Sequence, residues 1–180
     1  MLIIREARMS DAPRLLEIYD YYVRYTAVSF ECTTPTPEEF EARMRKTMAR
    51  YPYLVAEQDG RVVGYTYAGP FVGREAYRYS CELTIYLDRT QTGCGIGRRL
   101  YEALEAELRA RGFLNLYACI GLPEEEDEYL TGNSADFHAH MGFRLAGTFH
   151  HCGTKFGRWY HMIWMEKLIG EHRTAAEELP

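Results

Sequence analysis

The sequence predicts one α/β (α+β) domain over residues 1–170, built from seven strands and four helices. Hydrophobic periods of two and of about 3.6 residues follow one another in the order β-α-α-β-β-β-α-β-α-β-β. A strand, a glycine-rich turn and an amphipathic helix form one continuous unit over residues 81–112. The length of 180 residues suits a single domain with a full core, and neither a repeat nor an interdomain linker interrupts the pattern.

Caps and turn residues define the elements of the first half. Ser10 or Asp11 offers an N-cap to the first helix, and Thr36 with Glu39 forms a capping box that starts the second. A tight-turn signal, Asp59-Gly60, separates two strands. The elements predicted here are a strand over 2–7, helices from about 11 to 25 and from 36 to 50, and strands over 53–57 and 61–68.

The second half is organised around a long central strand, predicted over residues 77–87. The glycine turn follows it and leads into a helix that extends to about residue 112. The other elements predicted are a strand over 114–120, an acidic loop over 123–129, a short helix over 133–141 ended by Gly142, strands over 143–152 and 159–167 joined by a loop over 153–158, and a polar tail over 171–180.

The overall charge and the cysteines narrow the possible functions. A net charge of −5 gives no reason to expect nucleic acid or an anionic membrane as a partner, and no apolar run is long enough to span a bilayer. The N-terminus lacks the pattern of a signal peptide. Five scattered cysteines without a C-x-x-C pair indicate reduced thiols in a cytoplasmic protein. The run His150-His151-Cys152 has no second ligand pair at zinc spacing, so no metal site is predicted.

The glycine turn over residues 92–97 predicts an anion site. Gly93, Gly95 and Gly97 let the backbone approach a ligand, and the N–H groups and dipole at the helix start favour a phosphate. A dinucleotide fingerprint and a P-loop both fail at position 98, because Arg98 stands there. An ordinary tight turn between a strand and a helix is the alternative that stays open.

The turn is similar to the acetyl-CoA loop of the GNAT N-acetyltransferases, written R/Q-x-x-G-x-G/A, although Thr92 stands at the R/Q position. Further motifs resemble the branch of phosphinothricin and methionine sulfoximine acetyltransferases. These motifs are Ser29-Phe30, Arg74-Glu-Ala-Tyr77, Glu82 in Cys-Glu-Leu-Thr-Ile-Tyr-Leu, Asn133-Ser134 through His138 to Gly142-Phe143, and Lys155 through Trp159 to Lys167. The resemblance covers about residues 3–169. It implies the GNAT fold, with a mixed central sheet of about seven strands flanked by helices.

The resemblance also implies a reaction, transfer of the acetyl group of the cosubstrate acetyl-CoA to the amine of a small amino acid or analogue, carried out by a homodimer. An alkyl ammonium must lose a proton before it attacks, and Glu82 is the candidate base. Strand alternation points Leu83, Ile85 and Leu87 toward the core and Glu82 toward a cleft. His138 is the candidate proton donor to the departing thiolate. The alternatives are a surface carboxylate and a structural histidine.

Contacts with acetyl-CoA are assigned from the same resemblance. Backbone N–H groups near the end of the central strand polarise the acetyl carbonyl, and the glycine turn holds the pyrophosphate. The segment after the acidic loop contacts the pantetheine arm, in a register shifted because Thr131 occupies the position that is asparagine in the branch. The residues assigned to acetyl-CoA are Ile85, Tyr86, Leu87, Gly93, Cys94, Gly95, Ile96, Gly97, Arg98, Asn133 and Ser134.

Substrate selection is assigned to the loops that face the acetyl group. An arginine there fits a carboxylate or phosphinate in bidentate fashion. The candidates are Phe30, Glu31, Arg74, Tyr77, Tyr160 and His161. His161 stands where the branch commonly has aspartate, which changes the charge of the pocket. Two other interpretations stay open: a polyamine or a protein N-terminus as the acceptor, and a CoA-binding module without turnover.

Overall fold

Seven strands and four helices make up residues 1–173, the part of the chain that a computed structural model describes. In chain order they are β1 (Leu2–Glu6), α1 (Ala12–Tyr25), α2 (Pro37–Met48), β2 (Tyr53–Gln58), β3 (Arg61–Pro70), β4 (Ser80–Leu87), α3 (Ile96–Ala110), β5 (Asn115–Leu122), α4 (Asn133–His140), β6 (Arg144–Lys155) and β7 (Arg158–Leu168). None of these helices is both long and apolar enough to cross a bilayer. Most of the polar tail predicted over 171–180 lies outside the described residues.

One sheet holds all seven of these strands, in the order β1-β2-β3-β4-β5-β7-β6. Neighbouring strands pair antiparallel except β4 and β5, which are parallel. A parallel pair needs a crossover connection, and α3 supplies it. The predicted α/β (α+β) class, with a mixed sheet of about seven strands flanked by helices, is therefore confirmed.

The sheet is covered on both faces, by α3 and α4 on one side and by α1 and α2 on the other. The apolar stripe of α3 is buried, as its spacing predicts, and consists of Ile96, Leu100, Leu104 and Leu108. Burial of each such side chain contributes about 1.5–3 kcal/mol. The face under α1 and α2 is rich in tyrosines. Strand β4 alternates between the two sides, since Leu83 joins the α3 cluster and Tyr86 packs on the tyrosine cluster.

Several element boundaries differ from the predicted ones by a few residues, among them the following three. Strand β4 begins at Ser80, because Glu75–Tyr77 forms a turn of 3-10 helix. Helix α2 ends at Met48. The predicted loop over 153–158 shrinks to the two residues Phe156 and Gly157, whose φ angles are 52° and 73°. Positive φ at both positions is typical of the type I′ hairpin turn, which usually has the sequence Asn-Gly. Here the sequence is Phe-Gly, so the turn could not be recognised from the sequence.

The predicted caps hold for α2 but not for α1. The capping box of α2 is confirmed: Thr36 Oγ1 accepts the N–H of Glu39 at 3.2 Å, and Glu39 Oε2 accepts the N–H of Thr36 at 2.9 Å. Asp11 precedes α1 without capping it. Its carboxylate accepts the N–H of Arg8 at 2.7 Å and the guanidinium of Arg5 at 2.8 and 2.9 Å.

The acidic loop between β5 and α4 is anchored to the β6–β7 hairpin through Asp127. Its Oδ1 accepts the N–H groups of Tyr129 and Leu130, each at 2.8 Å. Its Oδ2 accepts the Tyr160 hydroxyl at 2.9 Å and pairs with Arg158 at 2.9 Å. Burial alone would raise the pKa of Asp127, but these donors outweigh it and lower the pKa to about 2.

We expect Asp127→Asn to remove a pH-dependent part of the stability. A carboxyl whose folded pKa lies below its unfolded value stabilises the folded state above pH 4, and this contribution disappears as the pH falls toward 2. The variant should lose about 1 kcal/mol at pH 7 and show a flatter decline between pH 5 and pH 2. Urea unfolding midpoints across that range measure both effects. Glu125→Gln, an exposed carboxylate in the same loop, is the control, and an equal change in both variants would contradict the assignment.

Candidate active site

A cavity of about 390 Å³ opens between β4 and β5. The two strands pair only at Ser80–Asn115, Cys81–Leu116 and Glu82–Tyr117 and diverge toward their carboxyl ends. Beyond Glu82, the edge of β4 that faces β5 presents backbone groups to the cavity instead of to a strand. The volume lies in the range of small-molecule sites. The lining comes from residues 28–31, 82–86, 101, 118–121, 130, 134, 138 and 162.

Glu82 lines this cavity and is the last residue of β4 that pairs with β5. Its side chain is half-buried, and burial raises the pKa of its carboxyl above the usual value. Within residues 1–173 it forms no ion pair that would oppose this shift. A carboxyl in this environment takes up a proton more readily than an exposed one, which suits a general base.

His138 is buried beside the cavity, with 3% of its surface exposed. Its Nδ1–H donates to the carbonyl oxygen of Ser134 at 2.7 Å, because a carbonyl can only accept. Its Nε2 therefore carries the lone pair and accepts the hydroxyl of Tyr101 at 2.9 Å. Burial lowers the pKa of His138, which keeps the imidazole neutral near pH 7.

Tyr101 is the functional candidate that the sequence pattern did not reveal. Its position in α3 makes it one of the buried residues of the helix, yet Tyr101 lines the cavity and its hydroxyl contacts His138. Gly97 permits this contact, since a Cβ at that position would lie 3.3 Å from the ring of Phe137 in α4. The glycine thus lets α4 approach α3. In the sequence, this role of Tyr101 is indicated only by the presence of a hydroxyl group on the otherwise apolar core face of α3.

The glycine turn has the conformation expected of an anion site. Gly93 and Gly95 both have φ of +76°, and Gly95 is the N-cap of α3. The first N–H groups of the helix, beginning at Ile96, have no partner within the helix. They follow the carboxyl end of β4, beyond the residues at which β4 pairs with β5. The side chain of Arg98 is directed away, to an ion pair with Glu102 at 2.9 Å.

Comparison with known proteins agrees with this geometry. Residues 4–164 match the family described as "Acetyltransferase (GNAT) domain". The chain belongs to the GNAT acetyltransferase family. A phosphinothricin N-acetyltransferase from Alcaligenes faecalis is 35% identical to it over 178 residues, which cover 97% of this chain and 86% of that protein.

Two further similar proteins belong to the branch expected from the sequence motifs. An L-methionine sulfoximine/L-methionine sulfone acetyltransferase from Pseudomonas paraeruginosa is 32% identical over 96% of this acetyltransferase and 97% of the relative. The crystal structure of a phosphinothricin acetyltransferase from Sinorhizobium meliloti in complex with AcCoA has a TM-score of 0.89 and 33% identity, covering 99% of this chain and 93% of that one. The resemblance stated from the sequence is confirmed.

The segment assigned to the pantetheine arm divides at the start of α4. Ser134 lines the cavity of the acetyltransferase, and its carbonyl oxygen accepts from His138. Asn133 is exposed and does not line the cavity. Its N–H donates to Thr131 Oγ1 at 3.4 Å. Of the two residues, Ser134 is therefore the one whose position fits a cosubstrate contact.

Two of the six substrate candidates, Phe30 and Glu31, lie in the cavity with Glu82. The loop that carries them is held against β6, because the buried Lys155 ammonium donates to the Ser29 carbonyl oxygen at 2.6 Å. Phe30 packs over Gly153, where a Cβ would lie 2.5 Å from its ring. The backbone of β6 thus leaves room for this aromatic ring.

The other four candidates are not brought to the cavity within the described residues. Arg74 and Tyr77 are exposed at the 3-10 turn before β4. Tyr160 is 1% exposed and donates to Asp127, which is a structural contact. His161 Nδ1 accepts the backbone N–H of His151 at 2.9 Å.

His161 also belongs to a small group of potential metal ligands with Glu124 and His151, whose ligand atoms lie within 4.8 Å of one another. The Nε2 of His151 is 3.1 Å from Glu124 Oε2. His161 Nδ1 is occupied by a backbone N–H, so in the neutral ring its Nε2 carries the hydrogen and offers no lone pair. The geometry therefore gives no reason to assign a metal site to these three residues.

Proposed function

We propose that this acetyltransferase transfers the acetyl group of acetyl-CoA to the α-amine of a small amino acid or analogue, of the kind represented by phosphinothricin and by methionine sulfone or sulfoximine. The observation that carries the proposal is the half-buried Glu82, with a raised pKa and no ion-pair partner among residues 1–173, in a cavity between two diverging strands. The names of the relatives support the choice of acceptor class.

Glu82 acts as the base in this proposal. The acceptor arrives as an ammonium, which has no free electron pair for attack. Glu82 takes one proton from it, and the amine nitrogen then attacks the acetyl carbonyl carbon. Phe30 and Glu31 form the part of the cavity wall against which the acceptor lies.

The chain's own backbone supplies the contacts with acetyl-CoA. Within Ile85 to Leu87, the N–H groups that point to the edge of β4 not paired with β5 polarise the acetyl carbonyl and stabilise the oxyanion. Gly93 to Gly97 receive the pyrophosphate through the N–H groups of the turn and the helix start. These backbone donors therefore fit the pyrophosphate of acetyl-CoA, although position 92 is a threonine and not the arginine or glutamine of the family loop.

Tyr101 donates a proton to the sulfur as the C–S bond breaks and the CoA thiolate leaves, and the second proton lost by the attacking nitrogen replaces it on the Tyr101 oxygen. Tyr101 lines the cavity, and its hydroxyl hydrogen turns from His138 Nε2 to the sulfur in this step, whereas the neutral His138 has no hydrogen on Nε2 and its Nδ1–H is held by Ser134. His138 is then a positioning residue, whose neutral Nε2 holds the Tyr101 hydroxyl in place. This revises the sequence-based role of His138 as the proton donor.

The test is CoA thiol release by the purified protein with acetyl-CoA and a panel of amines. The panel contains phosphinothricin, methionine sulfone, methionine sulfoximine, free amino acids, spermidine and a short peptide. We expect turnover on the amino-acid analogues. Turnover confined to spermidine or to the peptide would overturn the acceptor class and leave the acetyl transfer intact. Bound acetyl-CoA without any turnover would favour a non-catalytic module.

We expect Gly95→Ala to weaken acetyl-CoA binding about tenfold. A methyl group at φ of +76° strains the turn by about 1–2 kcal/mol and stands where the backbone meets the pyrophosphate. Gly157→Ala is the matched control, because Gly157 has φ of +73° and an equally open surrounding, but lies in the β6–β7 hairpin turn. Calorimetric titration of both variants with acetyl-CoA separates a general effect of backbone strain on affinity from an effect at the binding turn. Equal affinities of the two variants would contradict the assignment of the turn.

We also propose a homodimer in the cytoplasm. Strand β6 is an edge of the sheet, and it and the following hairpin expose Leu145, Phe149 and Trp159. Exposed apolar side chains at a sheet edge favour coverage by another chain. The five cysteines are free, as expected in a reducing compartment. Light scattering measures the mass, and a particle of 20.9 kDa would contradict the dimer.

A further inference from the structure

A second cavity, of about 140 Å³, adjoins the first and shares Glu31 and Tyr86 with it. It lies between α2 and the strands β2 and β3. Most of its wall is aromatic. The ring centroids of Tyr53 and Tyr67 are 4.7 Å apart, and those of Tyr19 and Tyr86 are 4.9 Å apart. Closely packed rings of this kind make a preformed wall, in contrast to a surface groove.

A carboxylate oxygen without a partner lies where the two cavities meet. Glu31 Oε1 accepts from Arg43 Nη1 at 2.5 Å. Glu31 Oε2 is buried and has no hydrogen-bond partner within residues 1–173. A buried acceptor left unpaired is costly, so a ligand that offers an N–H or O–H here gains the hydrogen bond that the protein does not supply.

Tyr67 connects this corner with the catalytic carboxylate. Burial raises the pKa of its hydroxyl, the negative charges of Glu82 and Glu31 act in the same direction, and Arg43 opposes them. Tyr67 lines the second cavity and pairs across β3 and β4 with Thr84, which lines the first cavity two residues along β4 from Glu82. An acceptor whose amine is at Glu82 can direct its side chain past Tyr67 into the second cavity.

We propose that the second cavity is the side-chain subsite of the acceptor and that Glu31 Oε2 accepts a hydrogen bond from the acceptor's side chain. This inference rests on the proposed acetyl transfer. A volume of about 140 Å³ limits the occupant to a small part of a ligand, such as one amino-acid side chain. An uncharged side chain is favoured over the anionic phosphinate of phosphinothricin, because the subsite presents a carboxylate oxygen whose charge Arg43 already balances. The favoured side chain carries a hydrogen-bond donor near its end.

Methionine sulfoximine and methionine sulfone form a matched pair for the test. They have the same shape, and the sulfoximine has an N–H where the sulfone has an oxygen. The N–H can donate to Glu31 Oε2, whereas the sulfone oxygen would face a carboxylate oxygen. We expect the sulfoximine to bind about tenfold more tightly or better, the usual effect of one hydrogen bond to a charged group.

The experiment is calorimetric titration of the full chain, saturated with CoA so that no turnover occurs, with each of the two ligands. Glu31→Gln should bring the ratio of the two dissociation constants close to one, since an amide can donate as well as accept. Glu38→Gln, an exposed carboxylate in the first turn of α2, should keep the wild-type ratio. Equal affinities in the wild type, an unchanged ratio in Glu31→Gln, or no binding of either ligand would overturn the proposal.

A second variant tests the cavity itself. Thr47 lines it from α2, and Thr47→Leu extends a side chain into the space with a residue that favours helix. We expect weaker binding of both ligands and unchanged affinity for CoA. Unchanged binding of both ligands would overturn the proposed subsite. Because acetyl transfer to the amine panel is measured separately, the subsite can fail while the proposed function stands.

Discussion

Replacement of Glu82 by glutamine is expected to lower kcat/KM for amine acetylation by about 10²–10⁴-fold, the usual contribution of a general base. The amide has nearly the shape of the carboxyl group but cannot take up the proton of the ammonium. Acetyl-CoA binding should be unchanged, because the pyrophosphate contacts lie at the glycine turn. Steady-state CoA release and calorimetric titration with acetyl-CoA measure the two quantities on one preparation.

The pH profile distinguishes a base from a merely nearby residue. Burial raises the pKa of Glu82, so the wild-type rate should rise with pH as this carboxyl loses its proton. In Glu82→Gln that acidic limb should disappear, leaving only the ionisation of the amine. Glu166→Gln is a matched control, since Glu166 lies in the same row of the sheet across Tyr117 but outside the cavity lining. A profile of the same shape in Glu82→Gln and the wild type would rule out Glu82 as the base.

Tyr101→Phe is expected to lower kcat by about 10²-fold with little change in the KM for acetyl-CoA. The substitution removes one oxygen atom and keeps the ring that packs against Phe137 and Phe143. It also leaves Nε2 of His138 unpaired, which should cost about 1–3 kcal/mol of stability. The rate of CoA thiol release measures the first effect and urea unfolding the second.

A double-mutant cycle decides whether His138 acts through Tyr101. If it does, His138→Ala should lower kcat in the wild-type background and have little further effect in the Tyr101→Phe background. A simple structural role would produce equal losses in both backgrounds. His138→Ala within twofold of the wild-type thiol-release rate would show that the histidine is not needed to position the hydroxyl.

Local sequence signals predicted the framework of the site well. The Thr36–Glu39 capping box, the stripe of α3 and the alternation of β4 each depend on neighbours in the chain, and the structure has them all. They place Glu82 on the cleft face of β4 and the glycine turn beyond the carboxyl end of that strand, before any long-range contact is known.

The contacts between distant segments could not be read in the same way. The Tyr101–His138 hydrogen bond joins residues 37 apart in sequence and depends on how closely α3 and α4 approach, which Gly97 sets. From the sequence, Tyr160 is assigned to the loops that face the acetyl group and select the substrate. Its hydroxyl instead meets Asp127, a residue of a loop that composition suggested to be solvated.

The divergence of β4 and β5 has a mechanical consequence. Three residue pairs are the strand contacts that join a four-stranded half-sheet to a three-stranded one. A molecule bound in that opening would contact both half-sheets and would join them where β4 and β5 are no longer paired. Cosubstrate binding would then also stabilise the fold, by about 2.7 kcal/mol when its free concentration is about 100 times its dissociation constant. The resistance of the protein to unfolding and proteolysis would thereby follow the free concentration of its cosubstrate.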